Sequence, residues 1–156
     1  MFGRGFFLLL AVLLALAASA GAARAAGLTT AERALLSEIN RARAGHGLPA
    51  LRIDWRLQRA ARGHSASMIR GDFFSHAAFS QRMRASRARG PAFGENLAWG
   101  TGSLASARAM VAQWLASPPH RANLLRHGFR RVGVATPAGN FRGVQARVAT
   151  TDFAGA

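Results

Sequence analysis

Residues 94–100 have the sequence GENLAWG, a segment bounded by glycines that carries one of the six acidic residues of the chain. It is apolar apart from Glu95 and Asn96, which predicts a short strand or a structured loop. Apolar residues recur at helical spacing on both sides of this segment, and they alternate near the end of the chain. Helices first and strands last favour an α+β domain over a parallel α/β domain.

Three helices are predicted ahead of this segment. Thr29 followed by Glu32 has the pattern of a capping box and marks the start of the first helix. A second helix is expected to begin near Asp54, and its apolar spacing turns His64 inward. A short and very basic helix is expected over residues 81–88.

One further helix is predicted from Leu104, with Trp114 on its buried stripe. It is expected to end at Ser117, because Pro118 and Pro119 cannot continue the backbone hydrogen-bond ladder. The tail alternates in polarity on both sides of a turn at 137–140, which predicts a β-hairpin.

The N-terminal segment predicts export. Arg4 precedes an apolar run, residues 6–18, and small residues follow it, which is the order of a secretory signal peptide. The run is shorter than the roughly 20 residues that cross a membrane. Cleavage is therefore expected after Ala20 or Ala25, which makes residues 1–25 a cleavable signal peptide and residues 28–156 a single domain. The mature protein is expected to be secreted or periplasmic and not transmembrane.

Composition limits the chemistry that this chain can use. It has 21 basic residues, every one of them arginine, and a formal net charge of +15, which predicts attraction to anionic envelope components or lipids. The few aromatic residues are not interleaved with the arginines, so the pattern does not indicate specific nucleic-acid binding. No cysteine is present, which excludes disulfides, zinc ribbons and thiol nucleophiles.

Three residues are candidates for a shared site, namely His76, Glu95 and His120. Each lies in a segment with poor periodicity that is rich in Gly, Pro, Ser or aromatic residues, and sites tend to be built on loops that a rigid scaffold presents. Two imidazoles and one carboxylate suit a divalent first-row metal ion with an open coordination position. Without a metal, Glu95 is a candidate general base. The alternative is that the three are unrelated structural residues.

The remaining ionisable residues are expected to be structural. His46 and His127 are predicted in exposed turns, and the inward His64 is expected to be a hydrogen-bonded core residue. Asp152, close to the C-terminus, is expected to pair with an arginine.

The ordered set of segments resembles the CAP superfamily of SCP/PR-1-like domains, specifically its exported bacterial branch. The resemblance extends from about residue 30 to residue 154 and rests on several segments in family order: residues 39–51, 64–68, 74–76, 94–100, 114–125, 129–134 and 151–154.

The resemblance implies an α-β-α sandwich, with helices on both sides of a small antiparallel sheet and a central cleft. His76 and His120 match the two family histidines, and Glu95 matches the acidic residue of the Gly-Glu-Asn motif. A second acidic position of the family, three residues after Trp114, is Ser117 here, which lowers the expected cation affinity. The other residues expected to line the cleft are Asn96, Ser75 and His64.

The leading functional hypothesis is an envelope-associated or secreted binding domain. Its cleft is expected to hold a divalent cation such as Zn²⁺ weakly, or a small ligand, without rapid catalysis, and the protein is expected to be a monomer. One alternative is a metal-assisted hydrolase of peptides or cell wall, with the cation on His76 and His120. Another is a carrier of sterols or other lipids.

Overall fold

A computed structural model of the chain describes residues 27–156. The predicted signal peptide, residues 1–25, lies outside them. The elements, in chain order, are α1 (Thr30–Ala44), β1 (Arg52–Ile53), α2 (Trp55–Gly71), α3 (Phe79–Ser86), β2 (Phe93–Gly100), a 3-10 turn (Gly102–Ala105), α4 (Ala107–Ala116), α5 (Pro118–Leu124), β3 (Phe129–Ala135), β4 (Ala138–Phe141) and β5 (Val144–Gly155).

The sheet is organised around β5, the longest strand. Its order is β1-β3-β5-β2, and β4 also pairs with β5. Strands β2, β3 and β4 all run antiparallel to β5. The short β1 runs parallel to β3, which is the one departure from the expected antiparallel sheet. A parallel pair requires a long crossover, and the elements from α2 to α5 lie between these two strands in the chain.

Helices cover both faces of the sheet, as expected for an α-β-α sandwich. Successive side chains of a strand point to opposite faces. Val132, Val134 and Phe153 therefore belong to a core with α1, α4 and α5. Leu97 and Val148 belong to a second core, which includes residues of α2.

The helix starts are those predicted from capping patterns. Thr29 Oγ1 accepts from the backbone N–H of Glu32, and the Glu32 carboxylate accepts from the backbone of Thr29. Asp54 caps α2 through the Arg56 N–H. Glu32 also binds Arg62 through both of its carboxylate oxygens, which ties α1 to α2.

Strand β3 lies in direct contact with the backbone of α2. A Cβ added at Gly133 would lie 2.2 Å from the backbone carbonyl carbon of Leu57. Only glycine permits this separation, so the contact sets how deeply α2 packs on the sheet.

The segment GENLAWG is a strand, β2, rather than a loop. The basic helix is α3, which begins two residues earlier than predicted. The helix expected from Leu104 begins as a 3-10 turn and becomes α4 at Ala107. These are shifts at element ends, which periodicity defines poorly.

In the C-terminal third, one prediction is confirmed and one is wrong. The helix expected from Leu104 ends at Ser117, as predicted. The two prolines end α4, but they also begin α5, because proline at the first helical turn loses no intrahelical hydrogen bond. The tail is not one hairpin with a turn at 137–140, since those residues include most of β4. The tight turn lies at Arg142 and Gly143, both with positive φ, and it joins β4 to β5.

Within residues 27–156, no helix combines the length and apolar character needed to span a bilayer.

Candidate functional site

The carboxylate of Glu95 lies at the centre of the site. Glu95 is on β2, with its side chain on the face covered by α2 and α3, and it is buried. Oε1 accepts from His76 Nδ1 at 2.7 Å and from Arg82 Nη2 at 3.0 Å. Arg82 Nη2 also lies 2.8 Å from Oε2. The carboxylate is therefore already held by an imidazole and a guanidinium.

His76 lies in the loop between α2 and α3, and its side chain is 55% exposed. The buried His64 of α2 fixes this loop, because its Nε2 donates to the Ser75 carbonyl at 2.9 Å. Ser75 Oγ accepts from the backbone N–H of Ala77 at 3.0 Å. His64 thus has the structural role expected of it, and it positions the segment that carries His76.

His120 reaches β2 from the other face of the sheet. It lies in the first turn of α5, and its Nδ1 contacts Ser117 Oγ at 2.8 Å. Asn96 is buried and donates from Nδ2 to the His120 carbonyl at 2.9 Å. Asn123 of the same helix donates to the Glu95 carbonyl at 3.1 Å. These contacts attach α5 to β2 beside Glu95.

Of the three candidates, His76 lies in a loop. Glu95 is part of β2, which confirms one of the two alternatives predicted for its segment, and His120 is part of α5, a helix that the sequence pattern did not predict. Short elements such as an eight-residue strand and a seven-residue helix contain too few apolar positions to show their period in the sequence.

Two residues that sequence analysis left outside the site belong to it. Asp152 lies directly opposite Glu95 in the β2–β5 register and is fully buried. Arg82 is the arginine nearest to it, with Nη1 4.0 Å from Asp152 Oδ1, and no hydrogen bond joins the two side chains. The sequence does contain a signal that could have identified Asp152, because this residue is the one acidic side chain of β5. Arg82 had no distinguishing signal among 21 basic residues.

The two carboxyl groups have opposite pKa shifts. Burial would raise the pKa of Glu95, but the hydrogen bond and charge of Arg82, assisted by His76, outweigh it and hold the pKa below its ordinary value. Burial and the negative charge of Glu95 raise the pKa of Asp152 well above its usual range. The pair therefore carries one charge, on Glu95, and a proton on Asp152.

The imidazoles of His64 and His120 favour the neutral form. Burial, followed by the charge of Arg82, lowers the pKa of His64. Burial and the neighbouring His76 lower the pKa of His120. Neutral imidazole is the form that binds metal ions and accepts hydrogen bonds.

The site offers few free ligand atoms to a cation. Within residues 27–156, no group of three or more His, Asp or Glu side chains is arranged to hold a metal ion. Glu95 is engaged by Arg82 and His76, so it does not complete a three-ligand set. Among the described residues, the Nε2 atoms of His76 and His120 have no hydrogen-bond partner.

Comparison with known proteins identifies the relatives of this chain. Residues 36–142 match the model of the CAP family, described as the cysteine-rich secretory protein family. The chain is 32% identical over 111 residues to a Bacillus subtilis protein called "uncharacterized membrane protein YlbC". That match covers 68% of this chain and 31% of the relative, so the chain spans about a third of the relative's length.

Solved structures share the fold. An extracellular protein from Bacillus anthracis that contains an SCP domain superposes with a TM-score of 0.64 and 26% identity, over 85% of this chain and 45% of the other. An outer surface protein from Borrelia burgdorferi superposes with a TM-score of 0.63 and 23% identity, over 76% of this chain and 87% of the other.

Proposed function

This chain belongs to the CAP family, and from that membership we propose that it is an exported binding protein whose cleft holds a divalent cation or a small ligand between His76 and His120. One fold of this kind serves unrelated functions, so the proposal is argued from the site.

The observation that carries the proposal is the orientation of the two imidazoles. His76 Nδ1 is held by Glu95 and His120 Nδ1 is held by Ser117. Among the contacts of the described residues, the Nε2 atom of neither ring has a hydrogen-bond partner. Metal-binding histidines usually have this arrangement, with one ring nitrogen on the ligand and the other on an oxygen that fixes the ring.

Glu95 and Ser117 act as orienting groups in this proposal. The contacts of Glu95 with Arg82 favour a role in fixing His76 over direct contact with the cation. Ser117 takes the place of a second carboxylate, and its hydroxyl is neutral. The site therefore has less negative charge than one with two free carboxylates, and its affinity for a cation is expected to be modest.

Zn²⁺ is the cation that fits these donors best, since it binds neutral imidazole readily. The lowered pKa of His120 keeps this ring neutral near pH 7. Two protein ligands leave the other coordination positions to water or to a small ligand.

A hydrolase would require Glu95 as a free base. Its carboxylate is buried and bound to Arg82, and its pKa is lowered, each of which makes it a poorer proton acceptor. Binding is therefore the function that this geometry supports best.

Calorimetric titration with Zn²⁺ tests the proposal. The parent protein should bind one Zn²⁺, and His76→Ala and His120→Ala should each abolish most of the heat. Glu95→Gln and Ser117→Ala should weaken binding by roughly 10-fold to 100-fold, because they release a ring without removing a ligand. Binding should also weaken between about pH 7.5 and pH 5.5, as protons compete for imidazole.

His127→Ala is the matched control, since His127 is exposed and outside the site. It should bind Zn²⁺ like the parent. Equal binding by the parent and by His120→Ala would refute the shared site.

A further inference from the structure

A trough runs between α2 and α3 on the outer side of the site. It consists of two adjoining cavities of about 410 and 570 Å³. Both are lined by Arg56, Arg59 and Ser86, so the two cavities lie side by side. One end reaches His64 and Arg82, and the other end is bordered by Trp55.

The trough has a large excess of positive charge. Five arginines line it, against the single carboxylate of Asp54. Two of these arginines are compensated, since Arg131 pairs with Asp54 at 3.0 Å and Arg82 pairs with Glu95. The other three are Arg56, Arg59 and Arg87.

These three arginines have no internal partner within residues 27–156. All three are exposed, and none takes part in an ion pair or a side-chain hydrogen bond there. Arg56 and Arg59 are three residues apart on α2, so their side chains are neighbours and repel each other. Packing inside the protein does not account for this arrangement, whereas an anionic ligand would.

Trp55 adds an aromatic surface at the end of the trough. It is 50% exposed and is the only aromatic among the large exposed hydrophobic residues of the described chain, the others being Leu104 and Val144. An indole ring presents a flat apolar face with a negative quadrupole, which suits a ligand with a C–H face.

We propose that this trough is a second binding site, which takes a single chain of an acidic polysaccharide whose sugars carry carboxylates. Guanidinium groups bind carboxylates in a two-pronged geometry, and Arg56 and Arg59 offer two such groups side by side. The ring face of a neighbouring sugar packs on Trp55. The partner is thus an anionic polysaccharide in which each sugar residue has an apolar ring face.

Two other polyanions fit the trough less well. Single-stranded nucleic acid stacks successive bases on several aromatic side chains, and the trough provides only Trp55. A membrane surface is broad and binds protruding amphipathic surfaces, whereas these arginines line a concavity. The sugar chain alone matches both the shape and the single aromatic residue.

This site is separate from the proposed cation site. The groups that bind the sugar chain are Trp55, Arg56 and Arg59, and among the described residues none of them shares a hydrogen bond or an ion pair with His76 or His120. Failure of Zn²⁺ binding would therefore leave the polysaccharide proposal standing, and the reverse also holds.

The test is calorimetric titration with a short oligogalacturonate, at low salt and at about 0.15 M salt. The parent should bind at both salt concentrations. Arg56→Gln with Arg59→Gln should weaken binding by roughly tenfold or more, and Trp55→Ala should weaken it by about fivefold. These side chains are exposed, and melting curves check that the variants fold.

Arg41→Gln with Arg108→Gln is the matched control, because it removes the same formal charge from exposed positions on α1 and α4. It should change the affinity by less than about twofold. Equal loss in both double variants, or no loss in Trp55→Ala, would overturn the proposal. So would tighter binding of single-stranded DNA or of anionic vesicles, which would assign the trough to a different class of polyanion.

Discussion

Asp152 and Glu95 form a buried pair of carboxyl groups on neighbouring strands. Among the described residues, neither oxygen of Asp152 has a hydrogen-bond donor, and Glu95 Oε2 also lacks one in hydrogen-bond geometry. A proton on Asp152 would give one of its two oxygens a hydrogen bond, because that oxygen can then donate to the Glu95 carboxylate. The raised pKa of Asp152 agrees with this assignment.

The protonated state of Asp152 makes stability depend on pH. An unfolded Asp has a pKa of about 3.9, and the folded protein holds the proton more tightly because burial and Glu95 raise the pKa of Asp152. The contribution of this group is therefore fully present below about pH 4 and decreases as the pH rises toward the folded-state pKa.

Asp152→Asn should remove this decrease, because the amide donates to Glu95 without an ionisable proton. Relative to the parent, the variant should gain stability as the pH rises, by on the order of 1 kcal/mol or more at pH 7. Urea unfolding between about pH 4 and pH 8 in chelator-treated buffer measures this. Glu38→Gln, at a surface ion pair, is the control, and parallel pH profiles for the parent and Asp152→Asn would contradict the assignment.

At the scale of elements, the attachment of α4 and α5 to β2 determines the geometry of the site. Trp114 of α4 is almost fully buried, and its Nε1 donates to the Leu97 carbonyl at 2.8 Å. Arg43 of α1 is fully buried and donates to the Leu124 carbonyl at the end of α5 and to the Phe129 carbonyl. The helix that carries His120 is thus held at both ends.

Trp114→Ala should lower the free energy of unfolding by about 3 to 5 kcal/mol, since it leaves a cavity in the core. Trp114→Phe keeps most of the apolar volume and should cost about 1 to 3 kcal/mol, because the Leu97 carbonyl loses its donor. Urea unfolding of the two variants separates the loss of apolar packing from the loss of the hydrogen bond to Leu97. If Trp114→Ala unfolds like the parent, the role of this residue in the core is refuted.

At the scale of the whole molecule, the chain has a large excess of positive charge. A net charge of +15 favours association with anionic polymers. Two solved proteins that share the fold are described as an extracellular protein and an outer surface protein. The Bacillus subtilis relative is called a membrane protein, and this chain matches only 31% of it.

Intact-mass measurement of the exported protein tests the signal peptide. The mass should correspond to cleavage after Ala20 or Ala25 and should include no lipid, because the chain has no cysteine for lipoprotein attachment. A mass that retains residues 6–18 would indicate an anchor instead.

The sequence by itself determined the features that depend on local pattern. The capping box at Thr29, the start of α2 at Asp54 and the inward face of His64 follow from residue type and helical spacing, and all three are confirmed. The ordered motifs determined the family and, with it, the α-β-α architecture.

Only the tertiary structure decided which side chains meet. The β2–β5 register places Asp152 opposite Glu95, although the two are far apart in the chain, and α3 brings Arg82 onto the same carboxylate. Sequence spacing cannot predict such contacts, because pairing between strands depends on the packing of the whole sheet. The same packing turned Glu95 from an expected cation ligand into a group engaged by Arg82 and His76, and it aligned Arg56 and Arg59 with Trp55 along one trough.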